Sequence, residues 1–168
     1  NLNPAMHGPG VYVEIPPEIL AGQSQPGKGW GKSTPEDQAR RSVYIHVKRS
    51  LLTPILESFD LAETDRTTPV RFASIQPTQA LGLLNGTFAS QQAEIFAERL
   101  RSDHPGDRPR QIERAFKLAT ARDPDPREIH RSLELMDALK AADGCSEETA
   151  LRYFCLMVFN LNETLYLD

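Results

Sequence analysis

The chain has 168 residues, 39% of them hydrophobic and 25% charged, which is the composition of a folded globular chain and enough for one domain, or one domain with an extended arm. Nineteen basic and 23 acidic side chains leave a net charge of −4, which excludes a strongly basic nucleic-acid footprint over the whole chain. No apolar run approaches the roughly 18 residues of a membrane span, and two cysteines cannot form a disulfide framework.

Residues 1–34 read as an extended arm. They hold Pro4, Pro9, Pro16, Pro17 and Pro26, and Gly8, Gly10, Gly22, Gly27, Gly29 and Gly31. Proline fixes φ and removes a donor, and glycine raises the entropy cost of ordering, so such a stretch wraps a surface rather than building a core. Val11-Tyr12-Val13 and the stretch from Ile15 to Leu20 are its expected anchors. The start shows no basic segment followed by an apolar one, so no secretory leader is read, and the chain is expected to be a piece of something longer.

The body is expected to run from 35 to 168. Ser33-Thr34-Pro35-Glu36 has a capping pattern and predicts a short helix through about Arg41. Val43, Ile45 and Val47 alternate with Tyr44, His46 and Lys48, which predicts a strand over 42–48, with a helix as the alternative. A short helix interrupted near Pro54 follows, then a loop over 60–75 with some extended structure from Val70 to Ile75. Beyond it the signals are helical. Gln76 to Leu84 stops at Asn85-Gly86, and Thr87 to Arg101 sets Phe88, Ile95, Phe96 and Leu100 toward one side. Asp107, Asp125 and Ser146 cap three further helices, with Pro126 at a first helical position and Gly144 as a stop. The fold class is therefore mainly α: an antiparallel helical bundle with a Pro/Gly-rich arm and one short strand.

The last helix is apolar on nearly every face from Phe154 to Leu161, so a central buried post is expected, continuing toward Asp168. Asn160, Asn162 and Glu163 are then expected at or near the interior. Buried polar groups need partners, and Gln76, Gln79, Asn85 or Arg71 are the expected ones.

Several motifs fail on spacing. Gly27 and Gly31 enclose three residues where a phosphate loop needs four. Counting from Gly22 restores the spacing to Gly27-Lys28, but Gly29 then replaces the magnesium-binding hydroxyl. Backbone amides and lysines here could still cradle an anion. His7, His46, His104 and His130 include no i,i+4 pair, and Cys145 and Cys155 belong to no Cys-x-x-Cys. Residues 1–50 carry six basic and four acidic groups against thirteen and nineteen in the remainder, so the basic end is where an anionic sugar, a phosphate or an acidic domain would bind.

An ordered set of strings carries a resemblance: Ala39-Arg40-Arg41-Ser42-Val43-Tyr44-Ile45, Leu56-Glu57-Ser58-Phe59-Asp60, Pro69-Val70-Arg71, Gln76-Pro77-Thr78-Gln79-Ala80-Leu81 with Leu83-Leu84-Asn85, and Leu161-Asn162-Glu163-Thr164-Leu165-Tyr166-Leu167-Asp168. The chain resembles the C-terminal domain of unknown function in planctomycete-type cytochrome c domain-containing proteins. The resemblance implies the tail of a larger periplasmic or extracellular protein, whose upstream domains are its partners. It implies haem c only for an absent upstream domain, no cofactor in this chain, and no catalytic residues to carry over. Thr164 stands where an aromatic residue is more usual, and Thr68 where a cysteine often stands.

Two functions follow as expectations. The leading one is a non-catalytic domain that packs against and completes its upstream neighbours, with no nucleic-acid partner and no membrane insertion. It predicts an exposed apolar patch. The alternative is a ligand-binding or hydrolytic domain in which Arg41, Arg71, Gln79, Asn85, Asn162 and Glu163 converge on an anionic or carbohydrate ligand, with Glu163 as the candidate acid or base.

Overall fold

The computed structural model describes residues 2–62, 67, 69 and 77–165. The chain clusters into two compact units, Asn1–Ile75 and Gln76–Asp168. The arm expected over 1–34 thus belongs to the same unit as the segment that follows it.

The first unit is built from short pieces: α1 (Pro17–Ala21), α2 (Pro35–Gln38), a single 3-10 turn at Ser42–Tyr44, and α3 (Pro54–Ser58). Each α-helix starts on a proline, whose missing N–H costs nothing there. Thr34, rather than Ser33, caps α2 by accepting from the Asp37 amide; the Ser33 hydroxyl instead accepts from the Tyr12 amide at 3.0 Å. Two parallel bridges, Asn3 with Arg40 and Val11 with Ile45, tie the arm to this segment. Val11, Ile15 and Leu51 are the buried apolar side chains of this unit among the described residues.

The strand expected over 42–48 does not form. Val11 exchanges backbone bonds with Tyr44 and His46, and the pairing stops there. Alternating β-branched residues need a ladder to hold them extended, and the arm that would supply it is interrupted by Pro9, Pro16 and Pro17. Val43 and Val47, without a partner strand, are exposed.

One arginine fastens the arm. The Arg40 guanidinium donates to the carbonyls of Ala5, His7 and Pro9 and lies 3.8 Å over the Tyr44 ring. His7 has φ +65°, a left-handed conformation that costs a non-glycine residue roughly 1–2 kcal/mol. The grip on its carbonyl, and the Tyr44 hydroxyl accepting from its amide at 3.0 Å, hold it there. Further along, Tyr12, Trp30 and His46 pack ring against ring, and the Trp30 indole N–H donates to the Val13 carbonyl at 3.0 Å.

The second unit is a helical bundle: α4 (Pro77–Asn85), α5 (Thr87–Asp103), α6 (Arg108–Thr120), α7 (Pro126–Asp143), α8 (Glu147–Phe159) and α9 (Asn162–Leu165). Its starts and stops follow local chemistry. Asp107 and Ser146 accept from the Arg110 and Thr149 amides. Asp125 and Glu128 form a reciprocal capping box, and Gly144 ends α7 at φ +60°, which glycine adopts without strain.

Helix α8 is the post around which α4, α5, α6, α7 and α9 pack. Ala150, Leu151, Phe154, Cys155, Leu156 and Val158 are buried. Each large apolar side chain so buried contributes roughly 1.5–3 kcal/mol. The Phe116 and Phe154 rings sit 6.5 Å apart, and Phe96 stacks on Phe159 at 5.3 Å. Gln111 is buried in this core, and its amide donates to the His104 carbonyl at 2.7 Å, satisfying the turn between α5 and α6.

Two expectations about this unit are corrected. Helix α5 does not turn Phe88 and Ile95 inward; they are 57% and 36% exposed. It buries Ala89, Ala93, Ala97 and Leu100, a stripe at helical spacing that lets its backbone approach α8 closely. The post also does not run unbroken to Asp168. It stops at Phe159, where Asn160 Nδ2 donates to the Leu156 carbonyl at 2.8 Å and Thr164 Oγ1 to the Val158 carbonyl at 2.9 Å. Side chains that take the last carbonyls of a helix turn the chain away. Asn162 and Glu163 then fall on the outside, exposed, against the interior placement the sequence suggests. The extended piece expected from Val70 to Ile75, and residues 166–168, lie outside the described residues.

Candidate functional site

A polar cluster in the second unit is centred on Arg122. This residue follows α6, directly after Ala121, which has φ +60° and turns the chain back. Its guanidinium faces two carboxylates from different helices. Nη2 and Nη1 lie 2.7 and 2.8 Å from the two oxygens of Glu128 on α7. Nε and Nη2 lie 2.7 and 3.0 Å from the two oxygens of Glu163 on α9. Nη1 also donates to the Asp123 carbonyl at 3.2 Å. Five bonds use the five N–H groups a guanidinium has. Glu128 in turn accepts from the Asp125 amide at 2.7 Å, so one carboxylate serves both the capping box and the clamp.

The electrostatics follow from the geometry. Hydrogen bonding to Arg122, and then to the Asp125 amide, lowers the Glu128 carboxyl to about 2 against the penalty of partial burial. Hydrogen bonding to Arg122 also lowers Glu163. Arg122 is raised, first by Glu128 and then by Glu163. A general acid needs the opposite shift, toward neutrality. Glu163 is held as a carboxylate, and its partner has no donor left for a ligand anion. The arrangement is chemically a clamp joining α6, α7 and α9.

The six residues expected to converge are placed as follows. Glu163 meets Arg122, and Arg71 lies outside the described residues. Gln79 is buried on α4, while Asn85 at the end of α4 and Asn162 at the start of α9 are exposed. Arg41 is exposed and belongs to the other unit. Sequence reasoning missed Arg122. Glu128 is legible from the capping signature, but a partner 41 positions away leaves no local trace.

A second feature of the bundle is an apolar groove of about 320 Å³. Leu84 of α4, Leu135 and Leu139 of α7, and Tyr153, Leu156 and Met157 of α8 line it, and Asn160 and Leu161 close one end. Leu84 and Tyr153 are 47% and 43% exposed, and Leu81 on the same helix as Leu84 is 57% exposed. Residues 153, 156, 157 and 160 share one face of α8, on which Leu156 is buried, Met157 and Asn160 are half-buried and Tyr153 is exposed.

Cys145 and Cys155 are both free thiols. Burial pushes the Cys155 thiol up to about 12, which makes it an inert core residue. Among the described residues no three His, Cys, Asp or Glu side chains gather as a metal-binding group, and no helix is long and apolar enough to cross a membrane.

No curated protein and no solved structure matches the chain. Residues 1–136 match the family model described as PSD1, protein of unknown function (DUF1553), which takes in all of the first unit and the bundle as far as Met136, and the chain therefore belongs to that family.

Proposed function

We propose that this chain is a non-catalytic module that docks against another domain of the same, larger exported polypeptide, a planctomycete-type cytochrome c domain-containing protein. The observation that carries this reading is the apolar groove along the outer face of α8. An apolar groove that leaves Tyr153 exposed on the post fits an apolar segment of a neighbouring domain. Tethering strengthens the case physically. A domain on the same chain is present at roughly millimolar effective concentration, so a groove far smaller than a free-standing protein interface suffices. The Arg122 clamp supports a structural role for the polar cluster, since all five N–H groups of the guanidinium are engaged.

Hydroxyl-radical footprinting tests the reading directly. Tyr153 and Met157 are oxidisable and stand in the groove. They are expected to react readily in the isolated chain and to be several-fold protected in the full-length parent. Equal reactivity in both forms removes the docking reading. The parent's identity is tested separately by its reading frame, which should carry a Cys-x-x-Cys-His haem attachment sequence upstream of Asn1.

A further inference from the structure

In the first unit, a polar pocket of about 330 Å³ opens between the loop after α1 and the turn at 48–51. Ser24, Gln25, Lys28, Lys48 and Ser50 line it, and no apolar side chain does. The Lys48 ammonium is fixed at the pocket wall by donating to the Lys28 carbonyl. An ammonium has three N–H donors, and this bond uses one of them.

The pocket is framed by its own chain. The Gln23 side chain accepts from the Gly27 amide and donates to the Ser50 carbonyl at 3.0 Å, tying loop to turn. Gly27 and Gly29 both have positive φ, so the backbone curls over Lys48; a Cβ on Gly29 would lie 3.6 Å from its Nζ. Among the described residues neither Lys28 nor Lys48 makes an ion pair with a carboxylate, whereas the arginines and lysines of the bundle are extensively paired. Two lysines without an ion-pair partner among the described residues, lining one pocket with two serines and a glutamine, favour an anion with several acceptor oxygens.

We infer that this pocket binds a small tetrahedral oxyanion, a phosphate or sulfate group, free or as the ester of a small molecule. Lys48 supplies the fixed charge, Lys28 the mobile one, and Ser24 and Ser50 hydroxyl donors. The site stands on the glycine-rich stretch 22–31 and does not depend on the docking groove. It is not a nucleotide loop: no register of the stretch supplies both the spacing and the hydroxyl that magnesium needs.

The chain has one tryptophan, Trp30, at the end of this loop, which gives a local signal. The full chain is titrated with sodium phosphate, sodium sulfate and glucose 6-phosphate, each against sodium chloride at matched ionic strength. Trp30 emission and the amide resonances of Lys28 and Gly29 are followed. Saturable shifts at millimolar anion, absent with chloride, are expected. Lys28→Gln should weaken binding about tenfold, as loss of one charge-assisted contact implies. Lys48→Gln should abolish saturation, and Lys32→Gln, outside the pocket, should leave it unchanged. Lys28 is exposed, so its variant keeps the test valid if Lys48→Gln unfolds the unit. Preference between phosphate and sulfate identifies the group, and tighter binding of glucose 6-phosphate than of inorganic phosphate identifies an ester site. A response that chloride reproduces, or one that Lys28→Gln leaves intact, overturns the inference.

Discussion

Arg122 Nε stands 2.7 Å from Glu163 Oε2, across 41 positions of sequence, and the same guanidinium holds Glu128. The pair closes the end of the bundle by fastening the short α9 to the turn between α6 and α7. Isolated exposed ion pairs contribute little, but a bidentate network with fixed geometry contributes more. Arg122→Ala is therefore expected to destabilise the bundle by about 1 kcal/mol, read as a lower midpoint in urea. Glu163→Gln should lower the midpoint less, since Glu128 still holds the arginine. An unchanged midpoint in Arg122→Ala would show that the clamp is ornamental.

The clamp also sets a pH dependence. The Glu128 carboxyl sits at about 2 in the fold, below its ordinary value of 4.5. Its contribution is thus fully present above pH 4.5 and is lost as pH falls toward 2. Glu163, lowered by the same arginine, acts in the same direction. Urea midpoints measured between pH 6 and pH 2.5 should fall steadily, and Glu128→Gln should flatten that fall.

The alanine stripe of α5 makes a sharp packing prediction. Ala93 is wholly buried in the core, where close-packed neighbours leave no room for extra atoms. Ala93→Leu should cost roughly 1–3 kcal/mol by overpacking. Phe88→Ala, at a large aromatic residue that is 57% exposed, should stay within roughly 0.5 kcal/mol. Thermal unfolding of the two variants separates a core built on alanine from one built on the aromatic.

Arg40 makes a prediction confined to the first unit. Its guanidinium gathers the Ala5, His7 and Pro9 carbonyls, so Arg40→Ala removes the fastening of the arm. Amide exchange at Asn3, which donates to the Ala39 carbonyl, should accelerate about tenfold, the factor that losing about 1.4 kcal/mol of hydrogen bonding gives. Exchange in α8 should not change. Acceleration spread evenly over the whole chain would show that the arginine does more than hold the arm.

Sequence alone determined where α6, α7 and α8 begin, where α7 ends and which helix is the post, but not where the post ends. Asp107, Asp125 and Ser146 act on amides two or three residues away, Pro126 acts through its own ring, and Gly144 through its own φ, so their effects are written locally. The run from Phe154 to Val158 is apolar on too many faces to sit anywhere but inside. Tertiary structure alone decided the rest. Whether Phe88 or Ala93 faced the core depended on how α5 packed against α8, and the face it buried carries three alanines and Leu100. Whether Val43, Ile45 and Val47 made a strand depended on a partner, and a proline-broken arm supplied a single bridge. Which arginine Glu163 met depended on a turn at Ala121 that brought Arg122 across the bundle's end. Each of these is a contact between residues far apart in the chain, and such contacts are fixed by packing rather than by neighbours.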